Sequence, residues 1–213
     1  METILPLTIS ILAAYLLGAI PTAYIFGRLL KGLDIRQHGS GNMGATNAFR
    51  VLGKGPGTAV LLIDIIKGLI PVAFVAPALG LNNPLALVII GLIAVCGHNW
   101  TVFLQFKGGK GIATTLGVLI GLSMVISGLR PVLLYTVATW VILFLTFGYV
   151  SLASIFASVV MPSCMVIVSA PFALVAMSIL LCTFIVFRHR ANITRLLQGK
   201  ESRVKLPFHK KNS

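Results

Sequence analysis

Residues 131–187 read PVLLYTVATWVILFLTFGYVSLASIFASVVMPSCMVIVSAPFALVAMSILLCTFIVF, 57 residues without one Asp, Glu, Lys or Arg. A bilayer crossing needs about 20 apolar residues, so this run holds two long spans or three short ones. The turn-forming groups Gly148-Tyr149 and Ser169-Ala170-Pro171 mark where it divides. Outward from it, residues 3–27, 68–106 and 111–129 are also free of charge. Of all 213 residues 57% are hydrophobic and only 10% charged, with a mean hydropathy of +1.00. A soluble domain carries roughly a quarter charged residues. The sequence is that of an integral membrane protein.

Its charges say where the spans end and what is excluded. There are 17 Lys and Arg against 4 Asp and Glu, a net +13. These cations lie between the apolar runs and form no groove or aromatic-interleaved face, so no nucleic-acid partner is expected. Cys96, Cys164 and Cys182 sit in apolar runs with no C-x-x-C spacing, and read as small buried hydrophobes. The first 27 residues lack a basic n-region and carry Glu2, so they read as a retained span rather than a signal peptide.

The first span covers about residues 4–26, the second 56–78, the third 84–100, and a fourth ends before Arg130. Cytoplasmic loops are enriched in Lys and Arg. The loop 28–55 carries five of them (Arg28, Lys31, Arg36, Arg50, Lys54), the link 79–83 none, and the insert 103–111 Lys107 and Lys110. The tail 188–213 carries eight against one Glu. Returning from the insert to the tail on one side takes an even number of crossings, which favours three helices in 131–187. The expectation is an all-α, polytopic membrane protein, a single domain over 1–213 with about seven transmembrane helices. Its N-terminus lies outside and its C-terminus in the cytoplasm.

That topology gathers three polar segments, 28–55, 97–115 and 188–201, on the cytoplasmic face. The first contains His38-Gly39-Ser40-Gly41-Asn42-Met43-Gly44-Ala45-Thr46-Asn47 and Arg50, where glycines let backbone N–H groups approach an anion. It is no Walker A loop, since Ala45-Thr46 stands where Lys-Ser/Thr is required. The second contains Gly97-His98-Asn99-Trp100 and Phe106-Lys107-Gly108-Gly109-Lys110-Gly111. Two lysines around a glycine pair, just before a helix start, look like a phosphate site. In the third, His189, Asn192 and Arg195 share one helix face. Asp64 and Lys67, at i and i+3 inside the second span, read as a structural ion pair.

Together GSGNMGATN at 39–47, GHNWTVFLQFKGGKGIATT at 97–115 and RHRANITRLLQGKE at 188–201 resemble the bacterial acyl-phosphate:glycerol-3-phosphate acyltransferases. Asp64-x-x-Lys67-Gly68 and the stretch 149–154 fit as well. The resemblance implies transfer of a fatty acyl group from a long-chain acyl phosphate to the 1-hydroxyl of glycerol 3-phosphate. The product is lysophosphatidic acid, and the expected site is the bacterial inner membrane, with no cofactor. The residues agree: no His is followed by Asp five positions on, as acyl-CoA- and carrier-protein-dependent enzymes require, and two Asp are too few for a metal cage.

On this reading Arg50, Lys107 and the backbone amides around Ser40–Asn42, Gly41 among them, and Gly108-Gly109 hold the phosphates, and Gly44, His98, Lys110 and Arg195 also bind substrate. Ser40, Asn42, Thr46, Asn47 and Asn192 orient the glycerol. The proton goes to the donor's own phosphate, or else to His189 or His98 as general base. The basic tail 202–213 is expected on anionic membrane phospholipids, and is a candidate docking point for the soluble enzyme that makes acyl phosphate. The rival reading is a transporter of a small phosphorylated solute, but the external side carries almost nothing polar and no internal repeat is visible.

Overall fold

The computed structural model describes residues 4–204, and every regular element among them is helical. The chain divides into two compact units, 1–127 and 128–213.

In the first unit, α1 (Ile4–Ala19) and α2 (Thr22–Lys31) come from one apolar run. The sequence reading takes that run as a single span; the structure breaks it at Ile20 and Pro21. Proline has no N–H to give and disfavours helical geometry in the residue before it. Carbonyls thrown off the helix in an apolar setting need other partners. Thr101 Oγ1 donates to Ala19 O at 2.6 Å, and Lys67 Nζ donates to Ile20 O at 2.9 Å.

The segment read as a polar loop holds further structure. A short 3-10 turn, Ile35–Gln37, is followed by α3 (Ala45–Leu52). Its buried face supplies Ala48 and Leu52 to a small core with Ala23, Ile35 and Val60. That core holds the motif loop against α2 and α4 (Lys54–Ile70). A wide turn at Pro71–Val75 continues α4 into α5 (Ala76–Ala78). Then come α6 (Pro84–Asn99), capped by Asn83 Oδ1 on Ala86 N at 2.9 Å, and α7 (Ile112–Val125). Helices in a bilayer associate by close packing over small residues. A Cβ on Gly18 or Gly97 would collide with backbone across the α1–α6 contact, and one on Gly68 or Gly117 across α4–α7.

The second unit realises the 57-residue run as three helices: α8 (Arg130–Phe147), α9 (Val150–Ile167) and α10 (Phe172–Arg188). They part at Gly148, whose φ of 75° ends α8, and at Ser169-Ala170-Pro171. A bend of 58° then leads into α11 (Arg190–Leu197). Along α8, Leu134, Tyr135 and Ile142 point outward, as suits a helix whose solvent is lipid.

By length and composition five helical segments can cross a bilayer: Ile4–Lys31, Lys54–Ala78, Pro84–Leu104, Ser127–Phe147 and Val150–Ile167. The bent pair α10–α11 makes a sixth. The remaining apolar helix, α7, has 14 residues, about 21 Å at 1.5 Å per residue against a core of about 30 Å. The last residues of the expected basic tail, 205–213, lie outside the described residues.

Candidate active site

The first motif forms a braced loop. Asp34 accepts from Arg36 N at 3.0 Å and pairs with the Arg36 guanidinium at 2.7 Å. The hydrogen bond from Arg36 holds the Asp34 carboxyl down at about 2, and the same pairing raises Arg36. Arg28 and Arg36 both lie over the Tyr24 ring at 5.3 Å. From α3, the buried Asn47 reaches back: its Nδ2 donates to Ile35 O (3.3 Å) and His38 O (3.0 Å), and its Oδ1 accepts from Ser40 N (2.9 Å). Gly39 and Gly41, at φ 63° and 69°, supply the left-handed turns this path requires. Asn42 Oδ1 accepts from Gly44 N at 2.9 Å. Ser40, Thr46 and Arg50 face outward.

The second motif folds back on the end of α6. Gly108 N donates to Asn99 O and Gly109 N to His98 O, both at 3.1 Å. A Cβ on Gly109 would strike the His98 ring, and one on Gly108 the backbone of residues 98 and 99. These glycines are needed for close approach to protein, and their amides are committed to it. Lys107 is exposed and Lys110 half-buried.

Between these pieces lies a small cavity of about 10 Å³, room for one water-sized group. Residues 19–22 of the α1–α2 break line it with Met43 of the first motif, Gly109 of the second, and Lys67, His98 and Thr101. Behind the wall stands Asp64, 1% exposed. Its Oδ1 lies 2.8 Å from Lys67 Nζ, accepts from Thr22 Oγ1 at 3.1 Å, and is 3.8 Å from His98 Nδ1.

The third motif, in the second unit, builds a separate knot around Glu201. Oε1 accepts from Ser151 Oγ (2.8 Å) and Asn192 Nδ2 (2.6 Å), and Oε2 from Arg195 Nε (2.7 Å). Burial pushes the Glu201 carboxyl up, but these hydrogen bonds outweigh it and hold it below the ordinary value. Beyond it, Arg203 Nε donates to Phe147 O (2.9 Å) and Val204 N to Gly148 O (2.8 Å). His189 is 4% exposed, and its Nδ1 lies 2.8 Å from Ile185 O. A carbonyl only accepts, so Nδ1 carries a proton toward it.

A family model described as glycerol-3-phosphate acyltransferase matches residues 8–199. The chain belongs to that family. Among its relatives, the glycerol-3-phosphate acyltransferase of Gloeobacter violaceus is 43% identical over 202 residues, covering 93% of this chain and 96% of the relative. That of Desulforudis audaxviator is 46% identical over 191 residues, 89% and 91% covered. The crystal structure of PlsY (YgiH), an integral membrane glycerol 3-phosphate acyltransferase, in its glycerol 3-phosphate form, matches with a TM-score of 0.85 and 40% identity. It covers 93% of this chain and 96% of that one. Its lysophosphatidic acid form gives 0.81 and 39%, over 93% and 95%.

Within this acyltransferase the first two motifs do meet, through Met43 and Gly109 at one cavity. Three features escaped the sequence reading: the hydrogen bond of Thr22 to Asp64, Thr101 as the clasp on the helix break, and Glu201 as the hub of the third motif. Two signals pointed to them. Pro21 falls inside the first apolar run while Asp64 and Lys67 are lone charges inside the second, and Glu201 is the single acid among the tail's eight bases.

Proposed function

We propose that this acyltransferase moves a fatty acyl group from acyl phosphate to the 1-hydroxyl of glycerol 3-phosphate, giving lysophosphatidic acid and phosphate. The likeness to PlsY in a glycerol 3-phosphate form and in a lysophosphatidic acid form carries the reading. Those two molecules are the acceptor and the product of this transfer. The proposal sets the enzyme in the bacterial cytoplasmic membrane with its motif segments toward the cytoplasm.

Acyl phosphate as donor is supported by chemistry. It is a mixed anhydride with an activated carbonyl and a good leaving group, so it needs no strong general base. The hydroxyl oxygen attacks the carbonyl carbon, the bond from that carbon to the phosphate oxygen breaks, and phosphate leaves with the electron pair. The hydroxyl proton passes to a phosphate oxygen of the departing group. What the protein must do is hold the reacting atoms about 3–3.5 Å apart and offset charge.

Exposed Arg50 and Lys107, with Lys110, are assigned to the phosphates, and Ser40, Asn42 and Thr46 to orienting the acceptor. Asn47 serves as the strut of their loop. His189, Asn192 and Arg195 enter through the family motif they belong to. An Asp-oriented His98 is a poor base here. Its 3.8 Å separation from Asp64 exceeds hydrogen-bonding reach, and the carboxylate oxygen is shared with Lys67 and Thr22.

The test is purified protein in detergent with labelled glycerol 3-phosphate and either palmitoyl phosphate or palmitoyl-CoA. Lysophosphatidate is expected from the phosphate donor alone. Equal product from the CoA thioester would overturn the donor assignment.

A further inference from the structure

Phe103 and Phe106 are 57% and 59% exposed, yet the loop that carries them is closely tied. Phe106 N donates to Thr101 O at 2.8 Å and Lys107 N to Leu104 O at 3.1 Å. Of the apolar residues in 102–106 only Leu104 turns inward, and Val102 is exposed as well. Gln105 and Phe106 hold left-handed backbone, at φ 54° and 60°, which residues other than glycine rarely adopt. Strain of this kind persists only where the surroundings fix it. Here it keeps two phenyl rings turned away from the protein, and water is a poor neighbour for them.

The surroundings say what meets those rings. With 16 residues, α6 is about 24 Å long at 1.5 Å per residue, short of a hydrocarbon core of about 30 Å. The apolar segment able to cross runs on to Leu104, so the insert continues the crossing. On α1, Leu5, Ile9, Leu12 and Leu16 are exposed at steps of four, three and four, which makes one outward stripe. Tyr15, at the end of that stripe, donates its hydroxyl to Trp100 O at 2.8 Å. The insert therefore begins where a lipid-facing surface ends, with Tyr and Trp at the level where membrane proteins carry their aromatic belts. Lys107 follows Phe106 directly and is exposed, as suits a cation among anionic headgroups.

We infer that the insert 102–107 is a membrane-interface anchor: Val102, Phe103 and Phe106 sit in bilayer lipid at the headgroup boundary, and hold Lys107 at headgroup level. The occupant of this apolar face is lipid and not a soluble protein. Its consequence for catalysis rests on the acyl-transfer reading above: a donor dissolved in the leaflet meets Lys107 without being drawn into water.

The test uses the full chain in phosphatidylethanolamine–phosphatidylglycerol nanodiscs, with Cys96, Cys164 and Cys182 replaced by alanine. Phe103→Cys and Phe106→Cys each carry a fluorophore, with Leu12→Cys as the lipid reference and Lys54→Cys as the aqueous one. The probes at 103 and 106 are expected to be quenched by spin-labelled lipid and shielded from iodide, as at position 12. Iodide quenching equal to that at position 54 overturns the inference. So does shielding from both quenchers, which would mean that protein covers the rings. In the native-cysteine background, Phe103→Ser with Phe106→Ser is expected to raise KM for palmitoyl phosphate about tenfold or more. KM for glycerol 3-phosphate should hold, and Phe103→Trp with Phe106→Trp should keep the wild-type value. A loss that falls equally on both substrates, or that tryptophan fails to rescue, marks a structural role and overturns the catalytic consequence. A wild type that makes no lysophosphatidate overturns the acyl transfer, and the anchor then stands or falls by the quenching alone.

Discussion

Removing Lys67 alone should unfold more of this protein than removing Lys67 together with its partner. The side chains of Lys67 and Asp64 are 4% and 2% exposed and 2.8 Å apart. Lys67→Met leaves the Asp64 carboxylate buried with only the Thr22 hydroxyl, and takes a donor from Ile20 O. Breaking a buried pair from one side costs about 3–5 kcal/mol, because a charge stays behind without its partner. Asp64→Asn strands the ammonium in the same way and should cost a similar amount. The double variant strands no charge, and keeps only the poorer satisfaction of Ile20 O, about 1–3 kcal/mol. Two single costs that sum to about 6–10 kcal/mol thus contract to a small remainder, a coupling of several kcal/mol. At roughly 2–4 °C per kcal/mol for a chain of this size, each single variant should melt on the order of 10 °C low, with the double nearer wild type. The protein carries its own reporters, since Cys96, Cys164 and Cys182 are free thiols and Cys164 is buried. A thiol-reactive fluorogenic dye in detergent reads their exposure on heating. Additive losses, with the double variant melting lowest of all, would refute the view that the pair is one electrostatic unit.

Three further outcomes are expected. Glu201 has a depressed carboxyl in the folded state, so its stabilising contribution is complete above the unfolded value of about 4.3 and is lost as pH falls through the folded one. The melting-point gap between wild type and Glu201→Gln should therefore be full at neutral pH and narrow as pH falls below the ordinary carboxylate range; a gap that widens on acidification contradicts the assignment. Asn47→Ala severs three bonds that brace residues 35–40. It should cost about 2 kcal/mol and lower turnover through the loop, read by calorimetry and by kcat in the same preparation. Lys107→Ala should depress kcat/KM for acyl phosphate by about 10²-fold or more, and near-normal turnover at saturating donor would remove it from the phosphate clamp.

The sequence by itself determined the membrane class, the division of the run 131–187 at Gly148 and Ser169-Ala170-Pro171, the family, and the segments that carry its motifs. It could do so because those features are local. Apolar length, helix-ending residues and contiguous motifs are read along the chain without knowing what packs on what. The tertiary structure alone decided the rest. It broke the first span at Pro21, because the freed carbonyls of Ala19 and Ile20 could be taken up by Thr101 and Lys67, 82 and 47 residues on. It turned the amides of Gly108 and Gly109 onto the end of α6, and made Asp64 the common anchor of Thr22 and Lys67. Such pairings join residues far apart in sequence, and a buried charge or an unmatched carbonyl states only that a partner must exist. Which partner meets it is fixed by helix packing over Gly18, Gly68, Gly97 and Gly117, where the absence of a side chain lets the backbones close.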